Sequence, residues 1–441
     1  MESSDSTTQS PLDHERAYQA TVRANLKRNY IAHYLHGMLG MTGFRLVNAP
    51  TFMPAYLFEL SGSRSIVGLG QALSAFGSVV SPIVGATQIE HRKRVLPVAV
   101  LMGLLMRLQI LGLGLAGWLT SGHKLLLSVL FCLFMLGLFT GAQRVAFQML
   151  LAKVIPVEMR GRLQAWRNAT GGLIAAGLAY FSGHYLVQTN LLGNGYGATF
   201  LLAFVLTSLG LTALRLLMRE PEPPTVRPQM PFKQRLHEFP ELLRSTPGLT
   251  PFLIAQTFAV AGRIATPFYI LYASKSISLN GTNIGTLTLA YLGADTVANL
   301  LWGYAGDRIG FRAILIGALV LWASSTLLLL GSQGMLGFFL AFCGLGASQS
   351  GYMMSVATMV LEFGSREDTA MRLALSTTAE GIMASSGPLI GGFIASALGY
   401  SMLFSASIGC QLVALGLLIW FVKEPRHRRL AEAAARSRPH A

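Results

Sequence analysis

The sequence predicts an all-α polytopic membrane protein of twelve transmembrane helices arranged as two six-helix repeats. Three observations lead there. Hydrophobic residues make up 52% of the 441 and charged residues 12%, about half the ~25% charged share of a soluble domain. Apolar runs of about 20 residues, the length that crosses a ~30 Å hydrocarbon layer, recur along nearly the whole chain. The two halves also carry matching residues in the same order at a nearly constant offset.

The first six spans fall at roughly 31–58, 66–89, 95–119, 125–149, 167–188 and 197–218. The second six fall at 250–272, 284–306, 313–331, 335–361, 375–398 and 401–422. An even number places both termini on one side of the bilayer. On that side lie 27 of the 34 Lys and Arg residues, whereas the opposite side holds Arg64, Lys124 and Lys275. Under the positive-inside rule both termini are expected in the cytoplasm, with the plasma (inner) membrane as the expected location. This asymmetry accounts for the net charge of +15 and argues against nucleic acid as a partner.

The chain divides into a polar N-terminal segment (1–29), a first bundle (30–219), a central loop (220–249), a second bundle (250–423) and a basic tail (424–441). Residues 1–29 lack the apolar core of a cleavable signal, so the first helix is expected to direct its own insertion. The central loop opens with Glu220-Pro221-Glu222-Pro223-Pro224, which stops a helix. Phe232 to Phe239 then reads as a short amphipathic surface helix. Cys132, Cys343 and Cys410 all fall within apolar spans, which excludes a disulfide framework or zinc site.

The repeat shows in several pairs. Arg45 matches Arg263, and Gly85 matches Gly303, at an offset of 218. Arg162, Gly171 and Gly177 match Arg372, Gly381 and Gly387 at 210. Spans six and twelve end alike, as Arg219-Glu220-Pro221 and Lys423-Glu424-Pro425. Parallel six-helix repeats point to a secondary-transporter architecture with the solute site at the repeat interface.

After span eight the chain reads Gly303-Tyr304-Ala305-Gly306-Asp307-Arg308-Ile309-Gly310-Phe311-Arg312. This resembles the G-x-x-x-D-R-x-G-x-R loop of the major facilitator superfamily. Gly303, Asp307, Arg308, Gly310 and Arg312 are thereby implied to form a gating latch. Glycine permits the tight turn, and the carboxylate can accept from a neighbouring helix end. The first-half copy, with Gly85, Glu90 and Arg94, departs from the pattern: Ile89 stands at the aligned acidic position. A G-P-x-x-G-G string, found in span five of many drug–proton antiporters, occurs here in span eleven as Gly387 to Gly392. Pro156 to Arg162 also looks like the superfamily's link between spans four and five.

The resemblance implies that spans one, four, seven and ten line a central cavity. Arg45 and Arg263 sit mid-span in spans one and seven, and an arginine there costs about 3 kcal/mol even on a lenient insertion scale. Such a pair resembles that of organophosphate–phosphate antiporters, and forked guanidinium groups suit a phosphate or carboxylate. A structural role, pairing with carbonyls or an acid, is the alternative for each. Asp295, on one helix face with Tyr291 and Asn299, is a candidate proton carrier or a counter-ion to Arg263 or Arg107. Arg107 reads more readily as a structural partner. Glu380 is a further coupling candidate, Arg144 can reach the interface, and His33 and His36 are expected at the wet end of span one.

The expected function is secondary transport by alternating access of a small anionic or carboxylate- or phosphate-bearing solute, with protons or a counter-transported anion as partners. A proton-coupled exporter of drugs or amphipathic metabolites is the same-class alternative. A non-transporting sensor or assembly factor on this fold is the alternative of another class. No nucleotide loop, nucleophile motif or metal cluster is present, so neither an enzyme nor a cofactor is expected. A monomer in the bilayer is the expected working unit.

Overall fold

Pro50 and Pro267 fall at matching places in the first helix of each repeat, and neither can donate a backbone N–H. Both helices are interrupted there in the computed structural model, which describes residues 11–89, 92–222, 243–244, 246, 248–363 and 369–423. The first span is two helices, α2 (Leu26–Asn48) and α3 (Phe52–Ser61), joined by a bend at residues 49–51. The seventh runs as α9 (Leu249–Ala261), a tighter 3-10 stretch (Gly262–Phe268) and the short α10 (Tyr269–Ala273). A break at membrane depth is tolerated where it is buried in protein or lines a cavity.

The remaining spans of the first half are α4 (Arg64–Ile89), α5 (Leu96–Leu119), α6 (Gly122–Val154), α7 (Val157–Phe181) and α8 (Gly195–Leu217). Those of the second are α11 (Gly281–Ile309), α12 (Phe311–Gly331), α13 (Met335–Glu362), α14 (Thr369–Ala397) and α15 (Gly399–Trp420). Together they make the twelve membrane helices of two six-helix repeats. The polar N-terminal segment is not irregular throughout: α1 (Pro11–Ala24) precedes the first span. The suggested helix at Phe232 to Phe239 and the basic tail lie outside the described residues.

Local chemistry sets several helix ends. Asn194 and Asn280 cap α8 and α11, accepting from Gly197 N at 2.9 Å and Asn283 N at 2.8 Å. Glu220 accepts from the first free N–H groups of α5, Val95 N and Leu96 N at 2.7 Å each, and from Lys153 at 3.0 Å. Arg28 donates to the last carbonyls of α8, at 2.7 Å to Leu217 O. Arg312 does the same for α15, at 3.0 Å to Leu418 O.

The apolar interior is continuous between the halves at the end remote from the termini, where Phe52, Phe200, Phe268, Leu287 and Phe404 share one core. Toward the other end it divides. Ala32, Val98, Leu150 and Leu214 form a core of the first half, and Phe252, Phe311, Met359 and Leu418 a separate core of the second. The described hydrogen bonds that join the halves include Thr51 to Thr288 at 2.6 Å, Ser65 to Ser396 at 3.0 Å and Arg64 Nη1 to Ala395 O at 2.8 Å. Helices α4 and α14 meet through Gly68 and Gly392, and the end of α7 meets α11 through Gly183 and Gly285. A Cβ at Gly183 would overlap the backbone of Gly281, so only glycine allows that approach. The hydrogen bonds of Thr51, Ser65 and Arg64 between the halves lie at the end remote from the termini; toward the other end the two cores stand apart, and the cleft is that division.

Candidate functional site

A guanidinium keeps its charge in any protein environment, so each arginine inside a span must find partners. Arg45 lies in the last turn of α2, just before the bend at Pro50. Its Nη1 reaches across to the second half and pairs with Asp295 Oδ2 of α11 at 2.9 Å. The same nitrogen donates to Thr296 Oγ1 at 3.1 Å. Gly172 of α7 makes room for this contact, since a Cβ there would stand 2.9 Å from Arg45 Nη1 and against Thr296 Oγ1.

Arg263 opens the 3-10 stretch of span seven, where the tighter winding follows the approach to Pro267. Its Nη1 lies 3.4 Å from Glu380 Oε1 of α14. The guanidinium carbon also sits 5.3 Å from the Tyr352 ring centroid and 5.6 Å from that of Trp322, within cation–π range. Trp322 is held in turn by its indole N–H, which donates to Tyr269 Oη at 3.0 Å.

These four charged side chains stand where the shared core branches. Leu46 and Ile264, next to the two arginines, belong to the shared core, and Tyr352 belongs to the second half's own core. The Arg45 and Asp295 side chains are 20% and 15% exposed, and those of Arg263 and Glu380 are 23% and 24% exposed. They are therefore partly accessible although they lie within spans. Tyr291, four residues before Asp295 on the same face of α11, is buried at 9% exposure.

Asp295 faces Arg45 in this structure, not Arg263 or Arg107. Arg107 lies away from the cleft, 1% exposed, with its guanidinium on Thr207 O and Gly103 O at 2.7 Å each. Arg144 is exposed. The arrangement at the cleft is thus charge-balanced, two guanidinium groups against two carboxylates, rather than strongly positive. His33 and His36 are not at a wet end: they are 0% and 6% exposed inside the first half.

The loop residues gather at the end where the termini lie. Gly310, at φ 90°, makes the turn between α11 and α12 in a conformation that favours glycine. Gly306 packs on the Phe311 ring, Gly303 sits by Met354, and the Arg308 guanidinium stacks 4.2 Å from the Tyr304 ring centroid. Asp307 is exposed and engaged in a contact of its own. In the first half Gly85 lies within α4, Arg94 pairs with Glu222 at 2.9 Å, and Glu90 lies outside the described residues. The Gly-Pro string of span eleven lies in the seam where α14 meets two neighbours. Gly391 packs on Ile264 O, and Pro388 O lies against Gly68 of α4.

Thr296, Gly172 and Trp322 were not singled out by the sequence. Thr296 follows Asp295 directly and was findable from that adjacency. Nothing in the one-dimensional pattern distinguished Trp322 from an interface anchor.

A family model described as Major Facilitator Superfamily matches residues 35–262 and 252–440. Uncharacterized proteins of Mycobacterium bovis and Mycobacterium tuberculosis are 25% identical over 192 residues, which is 44% of this chain and 37% of theirs. The chain thus spans little more than a third of the length of these curated relatives. Among solved structures, a variant of the nucleoside transporter NupG superposes with a TM-score of 0.70 at 12% identity, covering 90% of this chain and 100% of that one. A D-xylose-proton symporter superposes at 0.67 and 15% identity, covering 90% and 98%. At such identities the likeness is one of fold.

Proposed function

This chain belongs to the major facilitator superfamily, and from that premise we propose that it is a membrane transporter of the secondary type that carries a small carboxylate- or phosphate-bearing solute. The observation that carries the reading is the repeat-related arginine pair, Arg45 and Arg263, each held by one acid at the apex of the cleft. Arg45 and Arg263 are the proposed anion ligands. Asp295 and Glu380 hold them until solute arrives.

The charge balance shapes the mechanism. A solute oxyanion can claim a guanidinium only by displacing its carboxylate, and an unpaired carboxylate in a low-dielectric site is costly. Asp295 and Glu380 are therefore the proposed carriers of a coupled proton. The Arg45–Asp295 pair spans both halves, so its exchange for solute links binding to their relative movement. We place the termini and the cleft mouth in the cytoplasm, on the charge asymmetry, and take the protein to work as a monomer in the inner membrane. The loop at Gly303 to Arg312 is the proposed latch on that side.

A second reading, proton-coupled export of amphipathic compounds, draws on the aromatic faces of Trp322 and Tyr352 beside Arg263. Uptake into proteoliposomes separates the two. Carboxylates or organophosphates should accumulate with the wild type and not with Arg45→Ala or Arg263→Ala. Unchanged anion uptake in both variants, or transport of hydrophobic cations alone, would reject the anion reading.

A further inference from the structure

Away from the cleft, the first half buries a cluster of basic side chains around one aromatic ring. Phe147 of α6 has His33 and His36 of α2 each at 5.0 Å between ring centroids, and the Arg167 guanidinium carbon of α7 at 5.3 Å. His33, His36 and Arg167 are 0%, 6% and 9% exposed. Arg167 lies across Gly37, where a Cβ would overlap its Cδ, so the glycine is what admits the side chain between α2 and α7. Arg107 of α5, 1% exposed, is a further buried cation of the first half.

This cluster has unpartnered nitrogens, each neutral imidazole offering one N–H donor. Both ring nitrogens of His33, Nδ1 of His36 and Nε of Arg167 have no hydrogen-bond partner. Arg167 donates only to the neutral Gln164 Oε1, at 3.0 Å, and Arg107 only to backbone carbonyls. Among the described residues no carboxylate pairs with either arginine. Buried polar groups are almost always satisfied, and a buried charge left uncompensated is strongly destabilising. A water molecule answers the first demand and not the second. An anion answers both.

We infer that the interior of the first half binds one small inorganic monoanion of the chloride type, held by Arg167 Nε with His36 and His33 as ring N–H donors. Ala32 and Ala146, the chain neighbours of His33 and Phe147, are fully buried. The site is separate from the cleft: His36 precedes Arg45 by nine residues on α2, about 13 Å at the helical rise. Its occupant would tie α2 to α6 and α7, and so set the frame on which Arg45 is carried.

Purified full-length protein melted in chloride against gluconate at equal ionic strength provides the test. A saturable rise in melting temperature with chloride, following the linkage of ligand to folded state, is expected for the wild type and for Arg45→Gln. Arg167→Gln should abolish it. If Arg167→Gln does not fold, His36→Phe and equilibrium dialysis of wild-type protein with bromide take its place, with a single bound bromide per chain expected. Equal melting in both salts, an undiminished chloride response in the folded variant, or no bound bromide would overturn the inference.

Discussion

Arg45 and Asp295 form an ion pair of 2.9 Å that joins the first six-helix half to the second, between residues 250 positions apart in the chain. Both side chains are mostly buried, so removing one partner should cost more than removing both. Asp295→Ala is expected to destabilise the protein by about 3 kcal/mol, because Arg45 is left without a counter-charge. Arg45→Leu combined with Asp295→Leu should recover much of that loss while remaining unable to transport. Thermal unfolding of the purified variants measures the first effect, and proteoliposome uptake the second.

The second arginine depends on shape as well as charge. Arg263→Lys keeps the charge but loses the forked guanidinium and its stacking on Trp322 and Tyr352. Two weakened cation–π contacts are worth about 1–2 kcal/mol, so KM for the solute should rise roughly tenfold. A KM unchanged by this substitution would assign Arg263 to structure alone.

The end remote from the termini can be locked. Ser65 and Ser396 present their hydroxyl oxygens 3.0 Å apart across the two halves. Cysteines at both positions, with Cys132, Cys343 and Cys410 replaced, should form a disulfide on oxidation, given its ~2.05 Å S–S bond. Uptake should then stop and return on reduction. Continued transport by the oxidised, cross-linked protein would show that the halves need not part there.

Arg107 should behave as part of the frame. Its guanidinium ties α5 to α8 through Thr207 O and sits 1% exposed. Arg107→Leu removes two charge-assisted hydrogen bonds and is expected to lower stability by about 1–3 kcal/mol. KM of the folded fraction should stay at the wild-type value. A selective change in KM or in proton dependence would return Arg107 to the transport site.

What the sequence made legible was what carries a large local cost. An arginine inside an apolar span is expensive wherever it points, so Arg45 and Arg263 stood out before any contact was known. The repeat was legible because Arg45 and Arg263, or Gly85 and Gly303, recur at one offset. Pairing was not legible. Which acid meets which arginine depends on the packing of one half against the other, and Asp295 proved to face Arg45. Burial of His33 and His36 was missed for a related reason. Each residue turns a helix by about 100°, so position along α2 gives depth in the membrane but not the face toward Phe147. The breaks at Pro50 and Pro267 were not read from the sequence, in which the first and seventh spans run as continuous helices.

The central claim is that solute displaces Asp295 from Arg45. Its most direct measurement is equilibrium binding of a transported anion to purified wild type, Asp295→Asn and Arg45→Gln. With its competitor neutralised, Asp295→Asn should bind the anion more tightly, by about tenfold for each 1.4 kcal/mol of pairing released, while Arg45→Gln should lose binding. Weaker binding to Asp295→Asn, or unchanged binding to Arg45→Gln, would contradict the account.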